Sequence, residues 1–116
     1  MLNGDNWEET MHLGMYHKDK IIAVCTFIKQ ANPNILETQQ YQLRGMAVTK
    51  PFQGKGLGGI ILRYGENLLI KKSVKIVWCN AREVAINFYK KSGYQIIGES
   101  FNIKDVGLHY SMYKTL

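Results

Sequence analysis

Apolar residues along this chain fall into runs of two different periods, and the switches between them mark the elements. "MHLGMYH" and "KIIAVCTFIK" are rich in strand-favouring residues and flank Lys18-Asp19-Lys20, which predicts a hairpin of two antiparallel strands. The polar stretch "QANPNILETQQ" gathers turn formers around Pro33 and reads as a loop, after which "YQLRGMAV" resumes extended structure. Pro51 closes that strand, because it brings no amide hydrogen to a ladder and biases Lys50 away from helix.

From Gly56 the spacing becomes helical. Leu57, Ile60, Ile61, Tyr64 and Leu68 follow i, i+3, i+4, i+7 and i+11, the apolar face of an amphipathic helix. Lys71-Lys72-Ser73 marks its end, where positive charge suits the C-terminal dipole. "VKIVWCN" is a continuous apolar run, the pattern of a strand covered on both faces. In "REVAINFYKKSGY" a second helix sets Val84, Ala85, Phe88 and Tyr89 on one side and Asn87, Lys90 and Lys91 on the other, with Gly93 placed to cap it in a left-handed conformation. "QIIGESFNI" and "LHYSMYKTL" add two strands, and no repeats, low-complexity tracts or linkers interrupt the chain. The order β-β-β-α-β-α-β-β indicates a mixed sheet with helices on its faces.

Length and composition narrow the function. With 116 residues and 46% hydrophobic content, the chain can bury one core but not two, so residues 1–116 are read as a single domain. Lys and Arg number 15 against 9 Asp and Glu, and the resulting +6 favours an anionic partner: nucleic acid, an acidic surface or a phosphorylated cofactor. Nucleic acid is disfavoured, because the basic residues are spread over all elements and no aromatic-basic signature occurs. No apolar run approaches the roughly 20 residues of a membrane span, and "MLNGDNWEET" lacks a secretory layout, so a cytoplasmic protein with no membrane partner is expected. Cys25 and Cys79 sit in apolar runs without CxxC spacing and read as free buried thiols, and the scattered His12, His17 and His109 give no metal-binding spacing.

One stretch does not fit a plain helix entrance. "VTKPFQGKGLGGIILRYGE" holds Gly54, Gly56, Gly58, Gly59 and Gly65 directly around the start of the helical stripe. A P-loop is excluded, since no Lys follows a glycine with Ser or Thr behind it in the GxxxxGK[ST] frame. Gly54, Gly56 and Gly59 match GxGxxG in form, but "TKPFQ" separates them from the strand and the next strand ends in Cys79-Asn80 with no carboxylate for a ribose. What remains is the frame Q-x-x-G-x-G from Gln53 to Gly58, in which successive amides can line one concavity at a helix's positive end, a seat for a pyrophosphate.

In that frame, "LRGMAVTKPFQGKGLGG" resembles the cofactor-binding motif of the GNAT superfamily of acetyl-CoA-dependent N-acetyltransferases. "NAREVAINFYKKSGY" resembles that family's second signature, a strand ending at Asn followed by a helix carrying Asn and Tyr ahead of KxGY. The resemblance covers nearly the whole chain and implies an α/β fold of the α+β type, a mixed, mainly antiparallel sheet flanked by two main helices. It also implies acetyl-CoA as cosubstrate, whose three phosphates suit the positive charge, and no metal. Relatives usually place a strand and one or two helices ahead of the hairpin to shape the acceptor pocket, whereas this chain starts at about the hairpin. That difference leaves the acceptor open among polyamine, aminoglycoside, amino acid, peptide N-terminus and protein lysine. It also leaves open a homodimer in which a second subunit covers apolar sheet surface.

The resemblance distributes roles. Backbone groups of Met46, Ala47 and Val48, splayed from the neighbouring strand at a bulge, face the pantetheine arm and thioester, and an amide there serves as oxyanion donor. Gln53, Gly54, Lys55, Gly56, Leu57 and Gly58 hold the pyrophosphate, while Asn80 and Asn87 bond the carrier arm. Tyr89, core filler on periodicity alone, becomes the acid for the departing sulfur. The base is the weak element: relatives often carry a glutamate ahead of "MAV" where this chain has Gln42, which takes no proton at neutral pH. A water chain or His109 is left, the alternative for His109 being a strand histidine held by packing. The implied activity is acetyl transfer to a small-molecule or peptide amine; its rival is a non-catalytic module of the same fold that binds CoA or an acidic partner.

Overall fold

Lys18 and Asp19 both adopt left-handed backbone angles, φ 49° and 69°, the conformation that lets a two-residue turn follow the twist of a hairpin. In this computed structural model, which describes residues 9–116, that turn joins β1 (Met11–His17) to β2 (Lys20–Ile28). There follow β3 (Gln40–Val48), α1 (Leu57–Lys71), β4 (Ile76–Arg82), α2 (Ile86–Lys91), β5 (Gln95–Ile103) and β6 (Gly107–Thr115). Short 3-10 turns at Lys50–Phe52 and Glu83–Ala85 lead into the regions of the two helices. The expected element order and fold class hold: one mixed sheet, antiparallel except for β3 against β4, carries the helices.

The strands lie in the order β1-β2-β3-β4-β6-β5. α1 packs on β1, β2 and β3, and α2 approaches β4. Cys25, Phe27 and Leu43 of the sheet are buried with Ile61, Leu62 and Leu69 of α1 and Tyr89 of α2. Cys25 and Cys79 are buried and free, as expected. Gly93, at φ 98°, ends α2, with its own amide on the Lys90 carbonyl and the Tyr94 amide on the Tyr89 carbonyl at 2.9 Å. Among the described residues no helix is long and apolar enough to cross a membrane.

Two helical faces differ from the sequence reading. Ile60 and Tyr64, expected inward on α1, are 55% and 60% exposed, and the buried face is Ile61, Leu62, Gly65, Glu66 and Leu69. Gly65 is the reason for the rotation: a Cβ there would collide with the Phe27 ring, so only glycine lets α1 settle against β2. Glu66 tolerates burial because Lys114 Nζ and the Tyr94 hydroxyl each donate to it at 2.8 Å. Val84, expected on the apolar face of the second helix, is exposed, because residues 83–85 form a 3-10 turn and the α-helix starts at Ile86.

The feature that matters for function is a fork. β3 and β4 pair only over Gln40–Gln42 against Ile76–Trp78 and then part. Opposite Thr26 and Val24 the register of β3 slips between Arg44 and Ala47, with Gly45 at φ 63° inside the bulge. The strand therefore bends away just where "GMAV" begins.

Candidate functional site

The glycine loop hangs from the end of β3. Gln53 Nε2 donates to the Val48 carbonyl at 2.9 Å, pinning the loop to the strand it follows. Gly54 and Gly56 take φ 78° and 79°, which L side chains rarely adopt, and so turn the chain into α1. Around the turn, Phe52 N–H donates to Thr49 O, Gln53 N–H to Lys50 O and Ile60 N–H to Gly56 O. Among the described residues no acceptor takes the amides of Leu57, Gly58 or Gly59, the orphan donors of a helix's first turn.

Space lies open beside those donors. A Cβ built on Gly54, Gly56 or Gly59 would meet nothing within 4 Å. A cleft of about 250 Å³ runs there, walled by Val48, Phe52, Leu57 and Phe88, and the Lys55 ammonium sits 5.4 Å above the Phe52 ring. Free amides, a helix's positive end and a nearby cation fit a diphosphate group.

A second cavity, about 470 Å³, opens between the arms of the fork. Gln42, Arg44, Gly45 and Met46 line it from β3, Cys79, Asn80 and Arg82 from β4, together with Val84, Ala85, Tyr89 and His109. Phe88 lines the first cleft and its neighbour Tyr89 the second, so one turn of α2 touches both. Tyr89 is 8% exposed, and among the described residues its hydroxyl has no protein partner; its ring packs edge-on against Phe88 and Tyr94. Burial, and after it the neighbouring Cys79 thiol, pushes its phenol well above the ordinary range, so it stays protonated.

His109, 5% exposed, stacks on Phe101 with ring centres 5.8 Å apart. Its Nδ1 lies 2.9 Å from the Gly107 carbonyl, which only accepts; Nδ1 therefore carries the proton, and Nε2 of the neutral ring is the acceptor nitrogen. Asn80 Oδ1 accepts from the Ser111 hydroxyl at 2.9 Å, leaving the amide NH2 of Asn80 as donor. Cys79 is an inert wall: burial pushes its thiol from 9.0 up to about 12.

The fold thus brings Gln42, Met46, Asn80, Tyr89 and His109 into one cavity, and Val48, Gln53, Gly54, Gly56, Leu57 and Gly58 into the adjoining cleft. Ala47 lies outside both, paired with Val24, and Lys55 and Asn87 are exposed without lining either. His12 and His17 are remote from the fork: His12 bonds the Thr26 hydroxyl and His17 leans on Phe52. Among the described residues no three metal-ligating side chains gather. Sequence reasoning missed Arg44 and Arg82. Each stands two residues from a residue it did single out, Gln42 and Asn80, and that spacing is the period of one strand face.

Comparison with known proteins agrees with this geometry. The family model described as "Acetyltransferase (GNAT) family" matches residues 3–94. The chain is 36% identical over 112 residues to the uncharacterized N-acetyltransferase YitI of Bacillus subtilis (strain 168), covering 97% of this chain and 75% of that protein. Among crystal structures, Escherichia coli ElaA matches with a TM-score of 0.81 and 16% identity, over 98% of this chain and 74% of that one. An aminoglycoside 6'-N-acetyltransferase complexed with coenzyme A matches with a TM-score of 0.77 and 15% identity, over 93% and 73% of the two chains. Those two likenesses speak for the fold, while the match over residues 3–94 and the 36% identical relative speak for descent. The chain belongs to the GNAT family of acetyltransferases.

Proposed function

We propose that residues 1–116 act as one acyltransferase domain that moves an acetyl group from acetyl-CoA to a primary amine on a small molecule or peptide. The observation that carries this reading is the fork between β3 and β4, with glycine-loop amides beyond it and the Tyr89 hydroxyl within it that have no partner among the described residues. Acetyl-CoA, when bound, supplies an activated thioester carbonyl.

The chain's own residues do the rest. The amides of Leu57, Gly58 and Gly59 hold the diphosphate, Gly54 and Gly56 keep the approach clear, and Gln53 fixes the loop on Val48. Lys55 adds charge. Backbone groups from Met46 to Val48, left without a β4 partner past the fork, bond the carrier arm, and one amide there donates to the developing oxyanion, an interaction of about 3 kcal/mol in other acyl-transfer sites. Asn80 offers its amide from the end of β4, and Asn87 serves from α2.

Attack forms the N–C bond and passes through a tetrahedral intermediate. His109 Nε2 takes the proton the amine gives up, the C–S bond breaks, and Tyr89 gives its phenolic proton to the departing sulfur and regains one from the imidazolium or solvent. Gln42 favours the second reading, a module that binds CoA without turnover, because it stands where a proton-accepting glutamate is common. Purified protein with acetyl-CoA and an amine panel, followed by free thiol, tests the choice. Amine-dependent thiol release supports acetyl transfer; CoA binding with no release for any amine leaves the module.

A further inference from the structure

A third cleft, of about 440 Å³, opens where the β1-β2 hairpin meets the chain leaving β3. Ile21, Pro51 and Phe52 give it an apolar wall, and Lys18 and Lys20 of the hairpin line it as well. The Thr49 amide donates to the Ile22 carbonyl at 2.8 Å and the Phe52 amide to the Thr49 carbonyl at 2.9 Å, which ties the two sides together. His17 leans on Phe52 with ring centres 5.4 Å apart. The wall stands open, with Ile21 48% exposed. Among the described residues neither Lys18 nor Lys20 has an ion-pair partner, and no carboxylate lines the cleft; Asp19, between them in the turn, is not part of the lining.

Phe52 also lines the cleft beside the glycine-loop amides, so the two spaces share one wall. Resting on the acetyl-CoA reading above, we infer that the hairpin cleft takes the nucleoside end of the carrier. The adenine lies on Ile21, Pro51 and Phe52, and the ribose 3′-phosphate is met by Lys18 and Lys20. A purine offers a flat π-face, which packs well on aromatic and apolar side chains. The volume falls within the range of small-ligand clefts, roughly 300–1,000 Å³. A phosphate monoester carries a charge of about −1.5 to −2 at neutral pH, and two ammonium groups answer it as point charges. A carrier whose diphosphate rests on Leu57, Gly58 and Gly59 has only the Phe52 ring to pass to enter this space. The fork, the glycine-loop cleft and the hairpin cleft then hold three successive parts of one molecule.

The test uses the full chain and calorimetry with CoA and with dephospho-CoA, which lacks only the 3′-phosphate. CoA should bind roughly three- to tenfold more tightly, a ratio that shrinks as salt is raised because both lysines are exposed. Lys20→Gln combined with Lys18→Asn should bring CoA down to the dephospho-CoA value, asparagine being chosen because it tolerates the φ of 49° at that position. Ile21→Glu should weaken both carriers, by spoiling the wall and placing negative charge beside the phosphate, and it decides the matter if the double variant does not fold. Equal binding of CoA and dephospho-CoA by the wild type, a ratio that the double variant leaves untouched, or wild-type CoA affinity in Ile21→Glu would overturn the inference and leave the acetyl-transfer reading standing. The expected ratio with no thiol release for any amine sustains the inference and removes acetyl transfer. Binding of neither carrier overturns both.

Discussion

The Tyr94 hydroxyl donates a 2.8 Å hydrogen bond to Glu66 Oε2, joining the chain just past α2 to the buried face of α1. The other carboxylate oxygen takes Lys114 Nζ at 2.8 Å, so a single side chain holds α1, β6 and the end of α2 together. Glu66→Ala leaves a phenol and an ammonium unpaired in the interior. Breaking buried pairs costs roughly 3–5 kcal/mol elsewhere, and Lys114 keeps some access to water, so a loss of about 2–3 kcal/mol is expected from urea unfolding. A loss below about 1 kcal/mol would mean that the network only decorates the interface.

Alkaline pH should unfold the protein through its interior. Burial pushes the thiols of Cys25 and Cys79 from 9.0 up to about 12, and burial, with Glu66 second, raises the Tyr94 phenol. The folded state therefore keeps protons that the unfolded chain releases. The stabilisation is complete below about pH 9 and falls as pH rises toward 12, by roughly 1.4 kcal/mol per pH unit for each thiol. Urea titrations from pH 7 to about 11 read the slope. Cys25→Ala should flatten it by one thiol's share, and an unchanged slope would remove thiol burial as the cause.

Tyr89→Phe isolates one hydroxyl. That group has no protein partner among the described residues, so the variant should fold with wild-type stability and bind CoA as before. Turnover at saturating acetyl-CoA should fall by about 10²- to 10⁴-fold, the usual worth of a placed general acid. Unchanged turnover would return Tyr89 to the core.

Gly56 separates backbone strain from ligand exclusion. At φ 79° with open space beside it, Gly56→Ala should cost about 1 kcal/mol of stability and spare most CoA affinity. Gly56→Glu adds the same strain and sends a carboxylate into the cleft, so calorimetry should show CoA affinity down by roughly tenfold or more. Equal CoA affinity in the two variants would move the diphosphate away from this loop.

The order of elements was legible because each change of period falls at a strong signal: Lys18-Asp19 at the hairpin, Pro51 after β3, Gly93 after α2. The buried side of α1 was not. A glutamate and a glycine interrupt its apolar stripe, and both are inward for reasons held elsewhere: Lys114, 48 residues away from Glu66, and the Phe27 ring against Gly65. Hydropathy scores such residues as outward, so the reading rotated toward Ile60 and Tyr64. Most proposed site residues lie in two short segments and converge in space, whereas Arg44 and Arg82 went unnoticed because each looks like an ordinary surface charge until the fork makes its strand face a wall.

Among the described residues, three facing pairs, Gln40 to Gln42 with Ile76 to Trp78, and the Gln39 carbonyl that accepts from the Lys75 and Ile76 amides form a short backbone seam between the β1-β2-β3 half of the sheet and the β4-β6-β5 half. An extended carrier arm laid past Gln42 would act as a guest strand and supply the rungs that the seam lacks. On the proposed function, part of the sheet's cohesion would then come from the cosubstrate, and carrier binding would stiffen the joint between the two halves.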